Sequence, residues 1–193
     1  MPLEDIIEGC RHGNMAVQKL LYKRYYSLFM VMCLRYVTTR EDAEEVLNNA
    51  FLRIFKYINK FNNTGSFEGW MKRIVVNCCL DFIKRGQQQQ GKIVSLHTDY
   101  AEVYAANNGQ LPKENNLLDD KYDKAHLLGL LQNLPHNARL VFNLYVFEEY
   151  NHREIGEALS MAERTSQAHL AKARQLLMEQ LDKKKLLHKL QRV

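Results

Sequence analysis

Between Asn151 and Arg174 the chain places cations, amides and small residues at spacings that suit contact with DNA. At about 100° per residue, Arg164, Ala168, Ala171, Lys172 and Gln175 gather on one side of a helix. Leu170, Leu177 and Leu181 gather on the other, with Ala173 and Ser166 beside them. Small side chains let such a helix approach base edges in a major groove, while the cations and the amide supply donors. Upstream, Asn151 and Glu154 have the spacing of a capping box, and Ile155, Ala158 and Leu159 form the buried side of a shorter helix. Ser160-Met161-Ala162 then makes the turn of a helix-turn-helix, in which the first helix braces and the second reads. An ordinary αα-hairpin with a solvated face is the competing reading.

Charge favours the first reading. From Glu163 to Arg192 there are eight cations, Arg174 among them, against three anions, an excess equal to the +5 of the whole chain. Clustered cations bind phosphates by releasing condensed counterions, whatever the base sequence.

A second constellation lies nearer the N-terminus. Arg73, Asn77, Asp81 and Lys84 form a polar stripe beside Trp70 on an otherwise apolar helix, with Lys72 and Arg85 adding charge. Just before it, Asn62-Asn63-Thr64-Gly65-Ser66 reads as a loop of donors and acceptors. Cations, an aromatic ring and amides suit single-stranded nucleic acid, whose unstacked bases need a pocket and edge contacts. The alternative is that Trp70 is core and Asp81 pairs with Arg73 or Arg85. In Asp42–Ile58, Ala43, Val46, Leu47, Ala50, Ile54, Tyr57 and Ile58 make a core stripe. The opposite side shows Asp42, Glu45, Asn49, Arg53 and Lys56, with Asn48 at its edge and Leu52 alone among them. Leu52 is either an incidental exposed residue or a protein-binding anchor.

These side chains require helices to hold them. Helical periodicity covers Leu3–Cys10, Ala16–Tyr36, Arg40–Phe61, Phe67–Arg85, Asp120–Leu134, His136–Phe147, Asn151–Leu159 and Glu163–Leu190. A strand signal is confined to Ile93–Leu96. Residues 86–119 contain a Gln tract, Asn-Asn-Gly and Pro112, and are slightly acidic. A stretch of that length without periodicity predicts a linker. The expected architecture is all-α: two small helical domains, 1–85 and 120–193, joined by a flexible linker at 86–119. With 46% hydrophobic and 25% charged residues, the composition is that of a folded soluble protein. No run has the ~18 apolar residues of a membrane span, and Met1–Asn14 is too polar for a secretory signal. Cys10, Cys33, Cys78 and Cys79 fit no CxxC spacing and form no metal-ligand set with the His residues. Reduced thiols are expected, and with them the cytoplasm. No nucleophile–base pair, phosphate-cradling Gly loop or metal-ligand pair stands out, so neither enzymatic activity nor a cofactor is expected.

Three stretches then share one resemblance: Asp42–Ile58 (DAEEVLNNAFLRIFKYI), Ser66–Arg85 (SFEGWMKRIVVNCCLDFIKR) and Leu134–Arg174 (LPHNARLVFNLYVFEEYNHREIGEALSMAERTSQAHLAKAR). Together, and in this order, they resemble the extracytoplasmic-function sigma factors of bacterial RNA polymerase, sigma-70 family members that keep only regions 2 and 4. The resemblance spans most of residues 16–181. It implies that Asp42, Glu45, Asn48, Asn49 and Leu52 dock on core RNA polymerase. It also implies that Asn62, Asn63, Thr64, Gly65, Ser66, Lys72, Arg73 and Asn77 capture melted bases of the −10 promoter element. Arg164, Thr165, Gln167, Ala168, Ala171 and Lys172, with Arg174 and Gln175 on the same helix, would meet the −35 element as duplex. An anti-sigma protein, often membrane-spanning in relatives, is the further partner implied.

The sequence departs from the family pattern at several positions. Ser160 stands where Gly is usual, in a turn that favours left-handed backbone. Ala162 replaces a capping Ser or Pro, so that either the turn is looser or Glu163 takes over part of the capping. Gln167 and His169 stand where cations are frequent, which bears on −35 preference, and Asn48 is shorter than the usual Gln. Two other classes of function fit parts of the chain. A regulator of the response-regulator effector type would use the helix-turn-helix without polymerase, and a helical adaptor would use the Leu52 face without DNA.

Overall fold

The computed structural model describes residues 1–62, 65–89 and 124–190, with side chains described to residue 86 and again over 125–181. The chain divides into two compact units, Met1–Leu111 and Pro112–Val193. Every described element is helical.

Among its described residues the first unit holds four α-helices. Helix α1 (Leu3–Arg11) buries Ile6, Ile7 and Cys10. It packs on α2 (Met15–Tyr36). Gly9 permits the approach, because a Cβ there would lie 2.8 Å from a Val17 methyl group. Helix α2 starts where the Asn14 side chain accepts from the Ala16 and Val17 N–H groups. Helix α3 (Arg40–Tyr57) is capped by Thr39, whose hydroxyl accepts from the Asp42 N–H. It tightens into a 3₁₀ turn at Ile58–Lys60. Helix α4 (Phe67–Gln89) packs against α2 and α3. Leu21, Phe29, Tyr36, Leu47, Ile54, Ile58, Met71 and Ile74 fill the space between them.

The second unit contains α5 (Lys124–Gln132), α6 (His136–Phe142), α7 (His152–Leu159) and α8 (Glu163–Leu190). Helix α8 packs on α6 and α7. Leu131, Leu134, Ala138 and Ala173 form one core cluster, lined by Phe142, Phe147, Leu176 and Leu177.

Periodicity located these elements closely, with three differences. Helix α4 runs through Gln89 instead of stopping at Arg85. Gln is a good helix former, and Gly86 faces open space within the helix. The helix expected over His136–Phe147 is not uniform: after Phe142 it widens into a π-helical turn, Asn143–Phe147. Third, the helix expected from Asp120 is described only from Lys124. The stretch Ile93–Leu96 and most of the expected linker lie outside the described residues, as do Asn63 and Thr64.

All four cysteines are buried and free. Burial pushes the Cys78 thiol up to about 12, and raises Cys10 as well. Among the described residues no group of His, Cys, Asp and Glu could hold a metal ion. No helix there is long and apolar enough to cross a membrane.

Candidate functional site

The capping box at the start of α7 is formed in both directions. The Asn151 N–H donates to Glu154 Oε2 at 2.8 Å, and the Glu154 N–H donates to Asn151 Oδ1 at 2.9 Å. Helix α7 ends in the turn that Ser160 was expected to strain. Ser160 has φ +54° and ψ +46°, left-handed backbone on a residue with a Cβ. The geometry of the turn is kept, and the strain is carried. Gly156 matters to the same turn: a Cβ there would sit 2.7 Å from the Met161 carbonyl oxygen. Only glycine lets the outgoing chain fold back this closely.

Helix α8 presents the face its periodicity implies. Arg164, Thr165, Gln167, Ala168, Ala171, Lys172, Arg174 and Gln175 are all exposed, while Ser166, Leu170 and Ala173 are buried. Ala162 contributes its carbonyl to the first turn, accepting from the N–H groups of Thr165 and Ser166. Gln175 donates to Glu179, one turn on, at 2.9 Å.

A small network behind this face was not legible in the sequence. The fully buried Ser166 hydroxyl lies 2.9 Å from Nδ1 of His152 on α7. The His152 ring stacks on Tyr145 with centroids 4.7 Å apart. The Arg174 guanidinium lies 5.7 Å from the centre of the same Tyr145 ring. Helix α8 is thus tied to α7 and to the π-helical turn by polar and aromatic contacts as well as by apolar packing. On α6, Arg139 is buried and donates to the Gln132 carbonyl at 3.2 Å. Burial pushes its guanidinium down from the ordinary arginine range.

In the first unit, Leu52 is 68% exposed on α3. Glu45 and Asn48 are exposed beside it, and Asp42 and Asn49 are half-buried. Asn48 is engaged from the neighbouring helix: Tyr22 Oη on α2 donates to Asn48 Oδ1 at 3.2 Å. Tyr22 also packs against Tyr26 and Phe51. The repeat of Tyr22 and Tyr26 at helical spacing was the available signal for this second helix beside Leu52. The buried side of α3 follows its expected stripe except at Tyr57, which is half-buried beneath Lys56 and Lys60, and it also includes Phe51.

The second constellation is only partly assembled as a nucleic-acid surface. Trp70 is core. It is 8% exposed, stacked on Phe67 at 5.5 Å and tilted against Phe61 at 5.6 Å. Phe61 and Phe67 also meet edge to face at 5.1 Å. The indole therefore anchors both ends of the loop and offers no open stacking platform. Asp81 finds a partner beyond its own helix. It takes Nη1 of Arg53, on α3, at 2.9 Å. Arg53 is thereby turned toward α4 and away from the open face of α3. Lys72 pairs with Glu68 one turn back at 2.8 Å. Arg73 and Asn77 are half-buried. Gly65, at φ +86°, occupies backbone that favours glycine, and Asn62 and Gly65 are exposed. Ser66 immediately precedes α4, its hydroxyl accepting from the Gly69 N–H at 3.3 Å.

Among the described residues the two units are all-helical, with an exposed polar and cationic helix face in one and an exposed leucine among polar residues in the other. Residues 21–89 match the family model for Sigma-70 region 2, and residues 125–177 match that for Sigma-70, region 4. An ECF RNA polymerase sigma factor, SigE of Mycolicibacterium smegmatis, is 29% identical over 144 residues, or 75% of this chain and 53% of that one. The ECF RNA polymerase sigma factor SigW of Bacillus subtilis is 25% identical over 193 residues, covering 94% of this chain and 97% of its own. The ECF RNA polymerase sigma-E factor of Haemophilus influenzae is 21% identical over 176 residues, covering 90% and 92%. The chain thus spans about half the length of the first relative and over nine-tenths of the other two. Among solved structures, CnrH in complex with the cytosolic domain of CnrY gives a TM-score of 0.48 at 16% identity, over 92% of this chain and 95% of that one. That likeness is weak. The chain belongs to the extracytoplasmic-function group of the sigma-70 family of RNA polymerase sigma factors.

Proposed function

We propose that the chain is a promoter-specificity subunit that binds core RNA polymerase, recognises a −35 element as duplex and captures melted −10 bases. One observation carries this reading. A helix-turn-helix holds eight residues of suitable type on the open side of α8 while its inner side is sealed. Arg164, Lys172 and Arg174 would supply phosphate contacts, and Gln167 and Gln175 would supply bidentate amides for base edges. Leu52, exposed among Asp42, Glu45, Asn48 and Asn49, would anchor the first unit on polymerase. Asn62, Gly65, Ser66, Lys72, Arg73 and Asn77 would hold the opened strand. The binding energy of extruded bases then offsets the cost of unpairing them, with no covalent step.

The division of labour runs along the chain: residues 1–85 for polymerase and −10, 86–119 as tether, and 120–193 for −35. An anti-sigma protein is the further partner proposed, holding the chain inactive when no transcription is required. A regulator that works without polymerase is disfavoured by the region 2 match over residues 21–89, which that class does not need. The test is transcription in vitro with core polymerase on genomic DNA, with start sites mapped. New start sites that depend on the added chain support the reading, and their absence from a folded preparation that binds core polymerase ends it.

A further inference from the structure

Helix α1 precedes the region 2 match, which begins at residue 21, yet it reaches the proposed base-capture site. Arg11, its last residue, donates through Nη2 to the backbone carbonyl of Phe61 at 2.6 Å, across fifty positions of sequence. Nη1 of the same guanidinium lies 3.3 Å from Glu8 Oε2, so the side chain is held from its own helix as well. Only 22% of the Arg11 side chain is exposed. Phe61 stands at the point where α3 and its 3₁₀ turn end and the loop begins. Its ring is locked against Phe67 and Trp70.

We propose that Arg11 is a positioning residue for capture of the −10 strand, acting through the Phe61 carbonyl. This rests on the function proposed above. A peptide unit is planar, so the Phe61 carbonyl and the Asn62 N–H turn together. The aromatic triad fixes the Phe61 ring. Arg11 holds that peptide plane with a charge-assisted hydrogen bond and thereby helps to set the direction in which exposed Asn62 leaves the core. Ile6, Ile7 and Cys10 bury α1, and Gly9 admits it against Val17, so the donor sits on a fixed support.

The test uses the full chain with core polymerase and a promoter mapped as above. Arg11→Ala is expected to lower affinity of the holoenzyme for a fluorescein-labelled −10 non-template oligonucleotide roughly fivefold or more. Permanganate reactivity of −10 thymines on the duplex promoter should fall in step. Core polymerase binding and −35 duplex binding should be unchanged. Arg11→Lys, which keeps charge and a donor, should recover part of the loss and carries the test if Arg11→Ala does not fold. Unaltered single-strand affinity and opening would overturn the proposal, as would equal losses in all three binding assays, which mark a general structural role. Failure of the wild-type holoenzyme to bind the single strand would overturn the proposed function itself, and this inference with it.

Discussion

Replacing Leu52 by Arg tests the docking face without touching the core. Full burial of a leucine is worth about 1.5–3 kcal/mol. Leu52 is 68% exposed in the free chain, so roughly two-thirds of that, about 1–2 kcal/mol, remains to be gained on docking. Truncation by Leu52→Ala should therefore cost about 5- to 30-fold in affinity for core polymerase. Leu52→Arg loses the same contact and adds a guanidinium that must be desolvated against an apolar site. Asp42 and Glu45 on the same face would recover only part of that cost, and the total loss should approach roughly 100-fold. Stability should stay within about 0.5 kcal/mol, because the side chain points into solvent. The assay is a fluorescence titration of labelled variant with core polymerase, beside thermal unfolding of the free chain. Single-turnover transcription should fall in parallel with affinity. A folded Leu52→Arg chain that binds polymerase as tightly as wild type would refute the assignment of this face.

Three further outcomes are expected. Ser160→Gly relieves left-handed strain of about 1–2 kcal/mol and gives back about 0.4–1 kcal/mol to the unfolded chain, for a net gain of roughly 0.5–1 kcal/mol. Calorimetry should show the second unit melting roughly 3–6 °C higher, with Trp70 fluorescence reporting an unchanged first unit; a lowered melting point would contradict the strain argument. Arg164→Ala with Lys172→Ala removes two phosphate contacts, so the slope of log K against log salt for −35 duplex should shrink by about 2, and an unmoved slope would place the reading surface elsewhere. With its thiol pushed up to about 12 by burial, Cys78 should resist iodoacetamide at pH 8 in the folded chain and react after guanidinium unfolding, as peptide mapping would show. Rapid native labelling of Cys78 would mean that α4 is not packed as described.

The turn between α7 and α8 shows how a family geometry survives an unfavourable residue. Ser160 costs free energy at its φ of +54°, yet three features around it hold the turn. The Asn151–Glu154 box fixes the start of α7, Gly156 admits the Met161 carbonyl, and His152 with Ser166 ties α7 to α8. The loss of a capping side chain at Ala162 is tolerated in the same way, since packing of α8 against α6 and α7 supplies most of its stability.

Sequence alone determined the helices, their capping residues and the outward face of α8. Each of those depends on a period of 3.6 residues or on a side chain meeting backbone three residues away, and such relations are written locally. The exposure of Leu52 among the polar residues of α3 was legible for the same reason, whereas the left-handed turn at Ser160 was implied by the family resemblance. Tertiary structure decided what periodicity does not encode: which partner a polar group takes across the core. Asp81 paired with Arg53 on another helix, Arg11 reached Phe61, and Ser166 met His152. Trp70 likewise went to the core once Phe61 and Phe67 closed around it. Those choices depend on where helices cross, which is set by packing among residues far apart in the chain.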